Sequence, residues 1–348
     1  MQDILTCAMG LDIHRDVIVA CLAKGELGTD PEIEIRSFST LIPEMWKLRD
    51  WVLEAECRYV AMESTGIYWQ PIYEMLEPCF DGQISILVVN ARHMKNVPGR
   101  KTDMRDAQWI ATLLRAGLLK GSFIPDKTFR ELRHLTRYRK SIVRDITAQK
   151  NRIDKFLQSS GFRFTAFLSD AFGASGRNII RHLMEYGNIS REALDRCLKT
   201  QTRKRIDEIL IALNGSLSEH QRGFLRMIFG HLEALEQHRH TVEDAITKEI
   251  TKHEEALSLL CSIPGIDVTA AAAIIAEIGT DMSAFPDSQH ICSWAGLSPG
   301  NNESAGKRKS AHINKGNPYL KSMLCEVGWV ISGKRSLYLS GWYWRIKQ

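Results

Sequence analysis

The chain has no run of about 18 consecutive apolar residues, the length a membrane-spanning helix requires. Its N-terminus, "MQDILTCAMGLDIHRD", sets no basic region before a continuous apolar stretch, so a secretory signal peptide is not expected. The eight cysteines (Cys7, Cys21, Cys57, Cys79, Cys197, Cys261, Cys292 and Cys325) are scattered and never form a CxxC pair. Neither a zinc ribbon nor a disulfide framework is signalled, and a cytoplasmic, reducing setting is expected. What is present is an ordinary globular balance: 348 residues, 44% hydrophobic and 25% charged, enough for two or three domains. The net charge of +5 leans mildly toward polyanionic partners.

Residues 8–22, "AMGLDIHRDVIVACL", alternate as a strand, a turn and a second strand, and "EIEIRSFST" (32–40) reads as a third. "IPEMWKLRDWVLEAE" (42–56) is an amphipathic helix, and "CRYVAMEST" (57–65) a strand. "YWQPIYEMLEPC" is a second helix, and "ISILVVN" (84–90) a short apolar strand of the kind buried on both faces. The order of three strands, helix, strand, helix, strand, helix predicts a mixed α/β sheet with helices on its faces.

The last of those helices opens with "GRKTDMRDAQWIATLLR" (99–115). Thr102 is its expected N-cap, with Asp103 and Asp106 in the first turn and Arg100, Lys101 and Arg105 around them. Residues three apart on a helix are neighbours, so the two carboxylates share a face. Taken alone, such a pair needs no more explanation than the helix macrodipole. Two further acids change the weighing. Asp12 sits inside the first strand and Glu63 at the carboxyl end of the fourth, where an acid is disfavoured by propensity and burial. Ligand sites of α/β sheets gather at the carboxyl ends of strands. Asp12, Glu63, Asp103 and Asp106 are therefore expected to converge. An all-oxygen donor set suits Mg2+ or Mn2+ rather than zinc. Two such ions can clamp the attacking and leaving oxygens of a phosphodiester.

Residues 126–160 contain no glycine or proline and carry ten cations, among them Arg133, Arg137, Arg139, Lys140 and Arg144. Leu132, Leu135, Ile142, Ile146, Ile153 and Phe156 form an apolar stripe at helical spacing. A long helix is predicted, buried on one face and basic elsewhere. Four acids cannot balance ten cations, so contact with a nucleic-acid backbone is expected of it. Residues 161–228 read as short helices joined by polar turns, without a motif. A second long helix is predicted at about 229–260, and it can pair with the basic one as an antiparallel coiled coil.

"LLCSIPGIDVTAAAAIIAEIG" (259–279) stops one helix at Pro-Gly and restarts another. It suits a close-packed helical hairpin or a phosphate held at the second helix's N-terminus, and the two are compatible. "WAGLSPGNNESAGKRKSAHINKGNPYLKSML" (294–324) follows, with Lys307, Arg308, Lys309, Lys315 and Lys321 against the single acid Glu303. "SPGNNESAG" reads as loop by composition. A serine there is unremarkable by itself. Beside cations and a metal, however, its hydroxyl can attack a phosphodiester and hold a DNA end covalently.

Taken together, "GLDIHRD", "AMESTGIYW", "GRKTDMRDA", "SIPGI", "WAGLSPGNNESAG" and "NKGNPYLKSML" resemble, in order and over nearly the whole chain, the DEDD transposases of insertion sequence family one hundred and ten. These are bridge-RNA-guided recombinases related to the Piv invertase. The resemblance implies an α/β plus α protein in three parts. Residues 1–125 would form a RuvC-like domain of RNase H fold, 126–255 a helical coiled-coil region, and 256–348 a mainly helical transposase domain with a nucleophilic serine. The family's four acids fall on Asp12, Glu63, Asp103 and Asp106. Its serine falls on Ser304, with Ser310 as the fallback, because this chain is shorter than some relatives before "NKGN". The expected partners are element and target DNA, a structured bridge RNA, and copies of the same chain as dimers that pair into tetramers, with no membrane. Contacts to nucleic acid are expected from Arg100, Lys101, Arg105, Arg133, Arg137, Arg139, Lys140, Arg144, Lys307, Arg308, Lys309 and Lys315. The chain stops at "SGWYWRIKQ", where family members usually continue through another basic stretch and a final helix. Two other activities use the same residues: a RuvC-type nuclease that hydrolyses DNA with water, and a Piv-like invertase that acts without RNA.

Overall fold

Period-two alternation in the first forty residues produces an antiparallel meander. Strand β1 (Cys7–Ile13) pairs with β2 (Val17–Lys24), and β2 with β3 (Glu32–Ser39). After helix α1 (Ile42–Glu54), strand β4 (Tyr59–Glu63) returns parallel to β1. Helix α2 (Trp69–Leu76) then leads to β5 (Ser85–Val89), parallel to β4. The strand order is β3-β2-β1-β4-β5, and helix α3 (Asp106–Arg115) follows. The structure is a computed structural model that describes residues 3–64, 66–79, 84–90, 106–299, 302–304, 307–310 and 312–347. Thr102 and Asp103, and with them the expected start of α3, lie outside the described residues.

The two sheet faces are covered differently. Met9, Leu11 and Ile13 point to one face, where Leu48, Trp51 and Val52 of α1 and Ile72 and Leu76 of α2 bury them. Ala8 and Ala61 point to the other, under Ile110 and Leu114 of α3. Cys21 and Ala23 meet Ala107 and Ala111 on that same side. Small residues on both partners let α3 lie close to the sheet. Gly10 is required for this: a Cβ there would overlap the Ala107 carbonyl oxygen and the Ala111 amide nitrogen.

Residues from Pro125 onward form a second compact unit, distinct from Met1–Ile124. Its frame is helix α4 (Lys127–Ser159), whose buried stripe includes Phe129, Leu132, Ile142, Ile146, Ile153 and Leu157. Shorter helices follow: α5 (Ala174–Tyr186), α6 (Arg191–Cys197), α7 (Thr200–Arg203) and α8 (Ile206–Ile211). The second long helix, α9, spans Glu219–Ile250, ten residues earlier than its apolar pattern suggested. Ser218 and Gln221 form a reciprocal capping box at its start. Gly223, within the added ten residues, costs a helix about 1 kcal/mol relative to alanine and weakens the helical pattern there. Its other end breaks at Thr251–His253, and a separate helix α10 (Glu254–Cys261) completes the stretch. Helices α4 and α9 run antiparallel: Arg139 pairs with Glu243, Gln149 donates to the Ile228 carbonyl, and Phe156 packs edge-on to Phe224.

Helix α11 (Val268–Ile278) packs through Ala272, Ile275 and Ala276 into the same core. The Asp267 carboxylate accepts from the Ala270 amide at 2.7 Å, so the helix N-terminus that the sequence offers to a phosphate already holds an acid. After α12 (Ser288–Trp294), residues expected as loop form a two-stranded ribbon, β6 (Asn302–Ser304) against β7 (Lys307–Ser310). Composition marks a turn there, but strand pairing depends on partners that composition does not report. Helices α13 (Pro318–Gly333) and α14 (Tyr338–Lys347) end the chain. Among the described residues, no helix is long and apolar enough to cross a membrane.

Candidate active site and nucleic-acid surface

Parallel pairing of β1 and β4 sets Leu11 opposite Met62, so the next step brings Asp12 beside Glu63 at the carboxyl ends of adjacent strands. Both lie on the face that α3 covers, two residues on from Gly10 and Ala61 respectively. Asp106 is the first residue of α3. The close approach over Gly10 therefore delivers a third carboxylate to the same corner. Asp12 registers the result. Burial pushes its carboxyl above the ordinary value; the neighbouring His14 opposes this, and the charges of Asp106 and Glu63 add to it. His14 Nε2 lies 3.2 Å from Asp12 Oδ2. The only sequence signal for this histidine is its spacing, since a position two residues along a strand shares its neighbour's face.

Crowded carboxylates with an all-oxygen donor set fit a hard divalent cation, which would relieve the repulsion at Asp12. Among the described residues, however, no group of three or more histidine, cysteine or acidic side chains is arranged to hold a metal. Asp103, the fourth expected ligand, lies outside the described residues, as do Arg100, Lys101 and Arg105.

The cations of α4 divide into two sets. Arg137 binds Glu277 through two bonds of 2.8 Å, and Arg133 lies 3.2 Å from the same carboxylate. Glu277 is 2% exposed, and it also accepts from Asn317 Nδ2 at 2.6 Å. Arg133 further donates to the Ala276 carbonyl, at the C-terminal end of α11 where positive charge is favoured. Burial pushes the Arg133 guanidinium down to about 10 against the pull of Glu277. Arg139 is paired with Glu243 at 2.7 Å. Lys140 and Arg144 are exposed and have no carboxylate partner among the described residues. Arg133 and Arg137 thus hold the helical unit together, while Lys140 and Arg144 face solvent.

The serine ribbon is anchored by two glycines. A Cβ on Gly296 would come within 2.7 Å of the Gly316 amide nitrogen, and one on Gly316 would overlap Gly296 and the Trp294 carbonyl. The backbone segments before β6 and after β7 therefore touch, and Asn317 N donates to Trp294 O at 2.8 Å. In the ribbon between them Ser304 registers with Lys307, Glu303 with Arg308, and Asn302 with Ser310. Both candidate serines are thus on one hairpin, Ser304 at its turn and Ser310 at its base. Lys309 belongs to β7, and Lys315 is exposed just after it.

A five-stranded mixed sheet with acids at adjacent strand ends, followed by a mainly helical remainder, is consistent with a DEDD nuclease-like fold. Two family models match. The DEDD model of IS110, described as "Transposase", covers residues 9–161. That of the "Transposase IS116/IS110/IS902 family" covers residues 257–342. The chain is 23% identical over 247 residues to the candidate transposase y4qE of Sinorhizobium fredii (strain NBRC 101917 / NGR234), covering 68% of this chain and 51% of that one. It is 28% identical over 239 residues to the uncharacterized 43.6 kDa protein of insertion element IS110 from Streptomyces coelicolor (strain ATCC BAA-471 / A3(2) / M145), covering 63% and 58%. With both family models matched in order, the chain belongs to the IS110 family of transposases. It spans little more than half the length of these two relatives. DEDD transposases typically use divalent metal ions.

Proposed function

We propose that the protein cuts and rejoins DNA strands of an insertion sequence through a phosphoserine-DNA intermediate, guided by a noncoding bridge RNA. The observation that carries this reading is the placing of Asp12 and Glu63 at adjacent strand ends with Asp106 opening the helix packed on that face, in a chain whose C-terminal part matches the transposase family and holds Ser304 on a two-stranded ribbon. Residues 1–125 would act as a RuvC-like unit of RNase H fold. Asp12, Glu63, Asp103 and Asp106 would hold Mg2+ or Mn2+. When bound, the ion would supply charge stabilisation to the scissile phosphate. The Ser304 Oγ would attack phosphorus. One Oγ–P bond forms, one P–O bond to deoxyribose breaks, and the serine proton ends on the freed deoxyribose hydroxyl. A hydroxyl of the exchanged strand reverses the step. Phosphoester bonds are conserved in number, so no ATP is needed. Lys307, Arg308, Lys309 and Lys315 would offset charge on the transferring phosphate.

Sequence choice would rest with the RNA, while the protein reads backbone and shape, as in other guided systems. Abundant cations without a major-groove reading motif support this division. Assembly as a dimer that pairs into a tetramer would let the acids of one copy serve the serine of another.

Covalent trapping tests the reading. The protein is incubated with its element-derived RNA, Mg2+ and labelled junction and target DNA, and then run on a denaturing gel. A labelled protein band lost in both Ser304→Ala and Asp103→Ala is expected. Cleavage without a band, unchanged in Ser304→Ala, would instead establish a water-using nuclease. A band formed equally well without RNA would establish a Piv-like invertase.

A further inference from the structure

Helices α4, α9, α11 and α13 line a half-open pocket of about 640 Å3 within the helical unit, in the size range of small-ligand sites. The activity proposed above does not use it. Its walls are of two kinds. Ile246, Val268, Ala273 and Met323 are apolar, and Tyr319 adds an aromatic ring. Arg137, Arg139, Lys140 and Arg144 supply the cations. Arg137 and Arg139 are already neutralised by Glu277 and Glu243. The remaining lining carboxylate, Glu326, accepts from Ser322 on its own helix. Lys140 and Arg144, one helical turn apart, are left as positive charge without an acidic partner among the described residues. Arg137 Cζ stacks over the Tyr319 ring 4.3 Å from its centre, Lys140 Nζ stands 5.8 Å from that centre, and Tyr319 remains 37% exposed for a base on its open side.

We propose that this cavity takes one unpaired nucleotide of a single-stranded nucleic acid, its base against Tyr319 and its phosphate at Lys140 and Arg144. An aromatic platform beside unneutralised cations is what sequence-tolerant single-strand binding uses. A concave site of this size receives a nucleotide only when its base is free of the helical stack, so a duplex is excluded. Strand exchange and a folded RNA both present such nucleotides. The inference rests on reading the chain as a nucleic-acid-processing protein.

The test measures fluorescence anisotropy of a labelled six-residue oligothymidylate with the full chain. The comparisons are Tyr319→Ala, Tyr319→Phe and Lys140→Ala/Arg144→Ala, each checked by circular dichroism melting. Tyr319→Ala is expected to weaken single-strand binding about 5- to 150-fold, the range for loss of one stacked base. Tyr319→Phe keeps wild-type affinity. An abasic strand loses its sensitivity to Tyr319→Ala, and binding of a duplex is unchanged. The double variant lowers the slope of log affinity against log salt by about 0.7 for each cation removed. Equal losses for single strand and duplex, or no loss in Tyr319→Ala, would overturn the proposal. Displacement of the strand by an equal concentration of thymidine monophosphate would also overturn it, assigning the cavity to free nucleotides. Failure of the wild type to bind any strand, duplex or RNA would refute the underlying nucleic-acid reading as well.

Discussion

Glu277→Ala removes the one carboxylate that Arg133, Arg137 and Asn317 share. Deleting one partner of a buried ion pair costs about 3–5 kcal/mol, because the other charge stays behind uncompensated. Here the low end applies. Arg137 is one-third exposed and can turn toward water, and Arg133 retains the Ala276 carbonyl. A loss of about 3 kcal/mol is expected, and about 2–4 °C per kcal/mol for a unit of this size gives a fall of about 6–12 °C in Tm. Asn317 keeps its capping bonds to the Tyr319 and Leu320 amides, so α13 itself should remain helical. Scanning calorimetry of the wild type, Glu277→Ala, Arg137→Ala and the double variant reads both the loss and the coupling. Additive losses, or a Glu277→Ala cost below about 1 kcal/mol, would show that the hub is not a structural ion pair. The arginines of α4 would then be free for nucleic acid.

Four further outcomes follow from the geometry. Gly10→Ala forces α3 off the sheet and carries Asp106 away from Asp12; a cost of about 3 kcal/mol or more, with loss of DNA cleavage, should appear in denaturation and cleavage assays. Gly316→Ala should disturb the serine ribbon and abolish the covalent DNA band while leaving far-ultraviolet circular dichroism almost unchanged. Asp12 has a raised carboxyl pKa, so its contribution to stability is present below the ordinary value of 3.8 and is lost as pH rises through the raised value. Metal-free Asp12→Asn should therefore be more stable than wild type at pH 7, with the gap closing near pH 3 in urea titrations. Adding Mn2+ at about 100 times its Kd should raise wild-type stability by about 2.7 kcal/mol and leave Asp12→Asn unmoved.

Local pattern carried a great deal. Period-two and period-3.6 repeats announced five strands and three helices in order, because each element's burial is written into its own spacing. Asp12 and Glu63 stood out because acids inside apolar runs violate that pattern, and register then makes them neighbours. The small residues around Gly10 and Ala107 were visible, but their consequence, a helix lying against a strand, was not.

Other features lie between residues far apart in the chain. A run of cations on α4 looks uniform in the sequence, yet Arg133 and Arg137 meet an acid about 140 positions later, while Lys140 and Arg144 meet none among the described residues. Composition gave "SPGNNESAG" to a loop, whereas pairing with Lys307–Ser310 makes part of it a strand. Helix α9 begins at Glu219 because packing on α4 outweighs the cost of Gly223. The sequence alone determined the family and the order of the first five strands and their helices, because each of those elements carries its own periodicity. Only the tertiary structure decided which cations are held inside the protein, how close α3 comes to β1, and where a cavity opens, since each depends on contacts between distant segments.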